Sequence, residues 1–200
     1  MRKMKLVVVG PHQAGKSTLI RRLDPWAVKM DYSKGSFTTT VGFDYGIFLW
    51  DATVNRIYRK DQLDEMDPGN EIWKVSLTGT PGQMAFSPVR RVLARGKDGI
   101  ILILDSSRPV DLVYALSHYQ EARESIGPSA PLVILANKQD LPNAKSAETV
   151  ASLLGIRAKV FPVSALRGTN VEESILYILR EVRREVFKRS ISERVSAWSR

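Results

Sequence analysis

Lys16 lies within G-P-H-Q-A-G-K-S-T, Gly10 to Thr18, between an apolar run (Lys5 to Val9) and a helix-like one (Lys16 to Leu23). The spacing fits G-x-x-x-x-G-K-[ST], and each fixed position has a physical task. Gly10 and Gly15 allow the tight path that turns the successive N–H groups of the loop (Gly10, Pro11, which has none, His12, Gln13, Ala14 and Gly15) into an anion nest. Lys16 adds a positive charge for the outer phosphates. The Ser17 hydroxyl can ligate Mg²⁺, and the helix N-terminus around Ser17 and Thr18 adds free donors and a dipole. The chemistry implied is capture of a polyphosphate chain.

A second group could read a base. In A-N-K-Q-D, Ala136 to Asp140, the Asp140 carboxylate can accept the N1–H and N2 amino protons of guanine together; adenine has no such edge. Asn137 can reach the ring-nitrogen side, and the Lys138 stem can lie over the purine. Downstream, V-S-A-L puts Ser164, Ala165 and Leu166 at another strand end, where the Ala165 N–H could meet the guanine carbonyl. Read alone, N-K-x-D also fits a capped surface turn. Three loops in this order favour a guanine nucleotide. Between them lies S-L-T-G-T-P-G-Q, Ser76 to Gln83, which has no ionisable side chain.

Positioning these loops requires strands that end beside one another. Strand-length apolar runs are predicted at Lys5–Val9, Val41–Trp50, Glu71–Leu77, Gly99–Asp105, Leu132–Ala136 and Val160–Val163. Helical patterns at Lys16–Leu23, Ser87–Arg95, Val110–Ile126, Ser146–Leu154 and Asn170 to about Ser190 separate most of them. That alternation predicts parallel βαβ units, an α/β fold in three layers with helices on both faces of one sheet. Asn170 with Glu173 reads as a capped helix start. The polar stretch 51–70 is long for a hairpin loop and has room for a short extra element. One domain, 1–190, with a basic tail at 191–200, is the simplest organisation.

Composition narrows the function. The chain has no cysteine, so disulfides, thiolate metal sites and prenyl or palmitoyl anchors are excluded. Its start, M-R-K-M-K, lacks a signal-peptide pattern, and Arg2 stands where myristoylation needs glycine. A cytoplasmic protein is expected, with a peripheral position at the inner membrane surface open to it. The net charge is +9, and residues 180–200 carry seven Arg/Lys against three Glu. An anionic membrane or partner could meet that segment weakly. Nucleic acid is not expected, because no DNA- or RNA-binding signature accompanies the charge.

The four segments G-P-H-Q-A-G-K-S-T, T-V-G-F, A-N-K-Q-D and V-S-A-L, in this order, resemble the small GTPases of the Ras superfamily. T-V-G-F and A-N-K-Q-D-L-P-N-A are similar to Arf-like members. G-T-P-G-Q in place of D-x-x-G-Q, with G-F-D-Y-G before it, resembles the prokaryotic gliding-motility and polarity GTPases. The resemblance implies a P-loop fold with a mostly parallel six-stranded sheet, GTP/GDP and Mg²⁺ as ligands, and protein effectors and regulators as partners. It also implies a switch role for Thr40, ligating Mg²⁺ with its hydroxyl and the γ-phosphate with its N–H. Gly82 would donate to the γ-phosphate, and Gln83 would orient the attacking water. Gly79 stands where most relatives carry a magnesium-orienting aspartate; Asp105 is a distant substitute, and a plain turn-former on the blander reading. His12 either crowds the route of a partner's arginine or faces solvent. No arginine acting in cis can be assigned among Arg56, Arg59, Arg90 and Arg91. The expected activity is slow GTP hydrolysis in a molecular switch. The alternative is a nucleotide-holding scaffold with negligible turnover; an ATP-dependent kinase is opposed by Asp140.

Overall fold

Aliphatic strands buried on both faces form the middle of the sheet, as helices covering both sides require. In the first of them, β1 (Arg2–Val9), Leu6 and Val8 face one apolar layer, and Val7 and Val9 face the other. The first layer packs on α1 (Lys16–Leu23) and α5 (Val171–Trp198). The second packs on α2 (Ser87–Ala94), α3 (Pro109–Ile126) and α4 (Ala147–Leu154). This computed structural model describes residues 1–32 and 41–198.

The remaining strands are β2 (Val28–Tyr32), β3 (Val41–Asp51), β4 (Arg56–Tyr58), β5 (Ile72–Gly79), β6 (Gly99–Asp105), β7 (Leu132–Asn137) and β8 (Lys159–Pro162). They pair in the order β2-β3-β5-β1-β6-β7-β8, with β4 attached to β3. From β5 through β8 the pairing is parallel, while β3 runs antiparallel to β2, β4 and β5. The α/β layering is as expected, but the sheet has eight strands, not six.

The two additional strands are short, and their partners define them. β2 is an edge strand paired with the first half of β3, from Val28 opposite Tyr45 to Tyr32 opposite Val41. β4 belongs to the 51–70 insertion, which also holds a 3₁₀ turn at Lys60–Glu65. Asp51, fully buried, organises that insertion. Its carboxylate accepts the Thr53 N–H at 2.8 Å and the Asn70 side-chain amide at 2.6 Å, fastening both ends. Burial pushes its pKa up, but these bonds, led by Asn70, outweigh burial and hold it below the ordinary value.

α5 extends well past Ser190, to Trp198. Asn170 precedes it at φ 54, and its carbonyl accepts from Ser174, but its side-chain amide donates to the Pro162 carbonyl at 2.8 Å. The side chain therefore ties the helix start to β8, not to Glu173. Arg183 pins the helix to the sheet through Glu71, with N–O distances down to 2.6 Å.

His118 on α3 is almost wholly buried and makes no hydrogen bond of ordinary geometry. Burial, then Arg90 and Lys16, pull its pKa to about 4 despite a favourable contribution from Glu121 and the Gly10 backbone. The unfolded chain, with an ordinary histidine near 6.5, binds the proton more readily. Stability contributed by the neutral ring is therefore complete above about pH 6.5 and lost progressively as pH falls toward 4, by roughly 3 kcal/mol. Urea midpoints at pH 4.5 and 7 should show a smaller acid loss in His118→Leu than in the wild type. Equal losses would place the acid sensitivity elsewhere.

Candidate functional site

The bend from β1 into α1 is built around its two glycines. A Cβ on Gly10, at φ 150, would lie 1.9 Å from the Ile103 carbonyl oxygen. One on Gly15, at φ 105, would lie 2.2 Å from the Asn137 side-chain nitrogen. Neither position admits a side chain. Lys16 is buried beneath the loop and donates to the carbonyls of Gly10, at 2.8 Å, and Pro11. Burial lowers its pKa to about 8; Asp44 opposes that shift and Arg90 adds to it. His12, Gln13 and Thr18 are exposed, and with Ser17 and Lys16 they border a cavity of about 290 Å³. His12 thus takes the solvent-facing alternative.

The far wall of that cavity carries a carboxylate, Asp44. Asp44 on β3 stands directly opposite Gly79 on β5 in the antiparallel register. Ser17 Oγ donates to Asp44 Oδ2 at 2.6 Å. A hydroxyl and a carboxylate so joined at the mouth of a phosphate cradle are a donor set suited to a hard cation that also takes phosphate oxygens. Asp105 is engaged elsewhere, paired with Lys138 at 2.6 Å and accepting from Ser107. Its place is that of a turn-former with an ion pair, the blander of the two readings.

Gly79 itself has ordinary strand backbone, so left-handed strain is no obstacle to substitution. Space is the obstacle: an added Cβ would approach Ile20 Cδ1 to 2.7 Å and the Asp44 Cβ to 3.4 Å. Restoring the aspartate at 79 would crowd α1 and set two carboxylates side by side.

On the base side, Asn137 is a brace between loops. Its Nδ2 donates to the Ala14 carbonyl at 2.7 Å, and its Oδ1 accepts the Ala165 N–H at 2.9 Å. The Asn137 amide and the Ala165 N–H, which the sequence offers as able to meet the base, here hold each other and the phosphate loop. Beside them Asp140, Lys138, Thr18, Ala165 and Leu166 line a cavity of about 340 Å³. Ser164 Oγ donates to Asp140 Oδ1 at 2.6 Å and is the main reason that the Asp140 pKa falls below its ordinary value. The second oxygen, Oδ2, is left for another donor.

Gly82 closes over the phosphate loop. A Cβ there would lie 2.5 Å from the His12 backbone nitrogen and 2.7 Å from Lys16 Nζ. Gln83 is exposed and starts the 3₁₀ turn Met84–Phe86. Sequence reasoning missed what holds this turn. Arg90, buried, pairs with Glu121 at 2.7 Å and 3.0 Å while donating to the carbonyls of Pro81, Gln83 and Met84. Its signal was only an arginine at the buried face of a predicted amphipathic helix. Arg90 is therefore a brace whose donors are taken by Glu121 and the turn, Arg91 pairs with Glu124 at 3.0 Å, and Arg56 and Arg59 border a different cavity. Thr40, with Thr38 and Thr39, lies outside the described residues.

A phosphate cradle, a base cavity and an intervening strand-end loop, joined by one asparagine, have counterparts among known proteins. The Ras family model matches residues 5–184. The chain belongs to the Ras family. A Ras and EF-hand domain-containing protein of Danio rerio is 28% identical over 189 residues, 91% of this chain and 25% of the relative. Ras-related protein RABA6a of Arabidopsis thaliana is 26% identical over 197 residues, 96% and 75% of the two chains. Ras-related protein YPT3 of Nicotiana plumbaginifolia is 25% identical over 190 residues, 94% and 78%. The chain thus spans a quarter of the first relative and about three quarters of the other two. Ras-family GTPases bind GTP and GDP with Mg²⁺ and act as switches read by regulators and effectors, and GTPase activity in general follows from membership.

Proposed function

We propose that this chain is a GTP-dependent switch with slow intrinsic hydrolysis, in which Asp44 replaces the aspartate absent at position 79. The observation that carries the nucleotide reading is the pair of hydrogen bonds made by Asn137, one donated to the Ala14 carbonyl and one accepted from the Ala165 N–H, which ties the phosphate and base halves into one site. In this reading the loop Gly10–Thr18 wraps the phosphates, with Lys16 as their charge. Ser17 and Thr40 ligate Mg²⁺, which supplies charge neutralisation when bound, and Asp44 orients the Ser17 side. Asp140 reads guanine, Lys138 covers it, and Ser164, Ala165 and Leu166 close the base pocket. Gly82 senses the γ-phosphate, and Gln83 aligns water for attack on the γ-phosphorus as GDP leaves. Within the family, the Gly79–Asp44 pairing supports kinship with the gliding-motility and polarity GTPases; the Arf-like segments support a broader Arf-like character.

The scaffold alternative rests on Gly79 and His12; in the proposed reading Asp44 weakens the first ground and the exposure of His12 the second. Purified protein should release guanine nucleotide and liberate phosphate from GTP but not from ATP. Gln83→Leu should slow turnover by about tenfold or more while GDP affinity stays within about threefold, since a water-positioner acts in the transition state. Phosphate release from GTP that Gln83→Leu leaves untouched would assign the water to another residue; none at all would return the chain to the scaffold.

Asp44 has its own test. GDP release measured against free Mg²⁺ should be strongly magnesium-dependent in the wild type. In Asp44→Asn that dependence should weaken, with metal affinity lower by about 10- to 100-fold, the usual cost of losing a group that orients a metal ligand. Unchanged dependence would remove Asp44 from the metal site. Gly79→Asp should destabilise the protein and strengthen nothing, given its contact with Ile20.

Residues 1–190 are proposed as the GTPase domain, with a basic segment beyond that continues α5. Within the basic stretch 180–200, Arg183, Arg184 and Arg189 pair with Glu71, Glu181 and Glu185. A cytoplasmic location with weak, salt-sensitive attachment to an anionic surface is the corresponding proposal.

A further inference from the structure

At the end of α1 away from the phosphate loop lies a second polar cavity, about 460 Å³. Four of its lining residues are arginines, Arg22, Arg56, Arg59 and Arg167, and one, Glu172, is acidic. They come from α1, the 51–70 insertion and the loop before α5, so the convergence is tertiary and not a basic run in the sequence. Arg56 also meets Glu65 at 2.7 Å. Planar guanidinium forks suit phosphate oxygens in pairs, and four of them exceed what Glu65 and Glu172 together can use.

Arg22 connects this cavity to the nucleotide site. Its Nε donates to the Ala165 carbonyl at 3.3 Å and its Nη2 to the Leu166 carbonyl. Gly168, at φ 85, leaves room for that guanidinium, whose Nη1 would be 3.1 Å from an added Cβ. Arg59 in turn donates to the Arg22 carbonyl at 3.5 Å. The loop that Arg22 holds is the one whose Ala165 N–H reaches Asn137.

We propose that this cavity binds a small anion carrying two or more phosphate groups, and that the bound anion speeds GDP release by drawing Arg22 from the Ala165–Leu166 carbonyls. The binding half stands on the cavity alone; the coupling half rests on the base-site reading above. An anion competing for the Arg22 donors leaves two carbonyls unpaired and loosens the loop that closes the base pocket.

The test uses the full chain loaded with GDP, at constant ionic strength and constant free Mg²⁺, because polyphosphates chelate the metal. The probes are tripolyphosphate and inositol hexakisphosphate, with citrate as the carboxylate control. Calorimetry should show saturable one-to-one binding of a phosphate probe, weakened by about tenfold or more in the Arg56→Gln, Arg59→Gln double variant. Saturating probe should accelerate GDP release about fivefold in the wild type and leave the variant unchanged. Preference between the two phosphate probes separates an inorganic from an organic ligand. Absent binding, citrate binding equally well, or binding that survives in the double variant would overturn the site; survival would also be the mark of phosphate-loop occupancy. Binding without an effect on release would overturn the coupling. Protein that carries no guanine nucleotide would fail the function proposed above, while calorimetry with the double variant would still decide the cavity.

Discussion

Lys16→Ala is expected to abolish tight nucleotide binding. Among the described residues the lysine is the cation buried under the phosphate loop, already desolvated and already held by two carbonyls, so a phosphate meets it with little further ordering. Losing such a preorganised charge should cost on the order of 3–5 kcal/mol, or roughly 10²- to 10⁴-fold in affinity. The fold should tolerate the change, since burial makes the isolated ammonium a burden: its pKa falls to about 8 from an ordinary 10.5. The unfolded chain binds this proton more readily between those values, so removing the lysine relieves a penalty that the wild type carries at neutral pH. GDP titrations of both proteins, with thermal midpoints alongside, separate binding from folding. The charge fades above about pH 8, so wild-type affinity should decline there while the variant's residual affinity stays level. Affinity within about threefold of wild type would refute the phosphate-loop assignment.

The contrast between Lys16 and Asp44 marks what the sequence can and cannot disclose. Lys16 belongs to a contiguous pattern in which each spacing is a local backbone requirement, so strand, loop and helix are legible together. The same holds for β6, predicted and found at Gly99–Asp105, where a continuous apolar run leaves little choice. Asp44 sits 35 residues before Gly79, and only the register that places them opposite each other brings its carboxylate beside that position, the ground for the replacement proposed above. Register is set by the whole sheet and is not written at either residue. β2 and β4 escaped for a related reason: each is short, and its strand character comes from pairing with β3. Asn137 was recognised as a site residue, but whether its amide meets a base or two neighbouring loops depends on contacts across more than a hundred positions. Arg90 shows the limit most clearly, because nothing near it in sequence announces Glu121 or the turn it holds.

Asp140→Asn is expected to turn base preference from guanine toward xanthine. The structure specifies the orientation on which this depends. Ser164 Oγ donates to Asp140 Oδ1, so the carboxylate is held against free rotation. The same bond, first among the influences on Asp140, holds its pKa below the ordinary value. An asparagine in its place keeps Oδ1 as acceptor for Ser164, which sets Nδ2 where Oδ2 was. Oδ1 can still accept the N1–H, but Nδ2 then meets the guanine amino group donor against donor, whereas xanthine offers a carbonyl at that position. Sites built on such pairs reject the mismatched partner strongly, and GDP affinity should fall at least about 100-fold while xanthosine diphosphate gains. Ser164→Ala should have a smaller effect in the same direction on GDP, without favouring xanthosine, because it frees the carboxylate but leaves it an acceptor. Competition between the two diphosphates for wild type and both variants is the measurement. An Asp140→Asn protein that retains GDP and ignores xanthosine diphosphate would show that this carboxylate does not face the base.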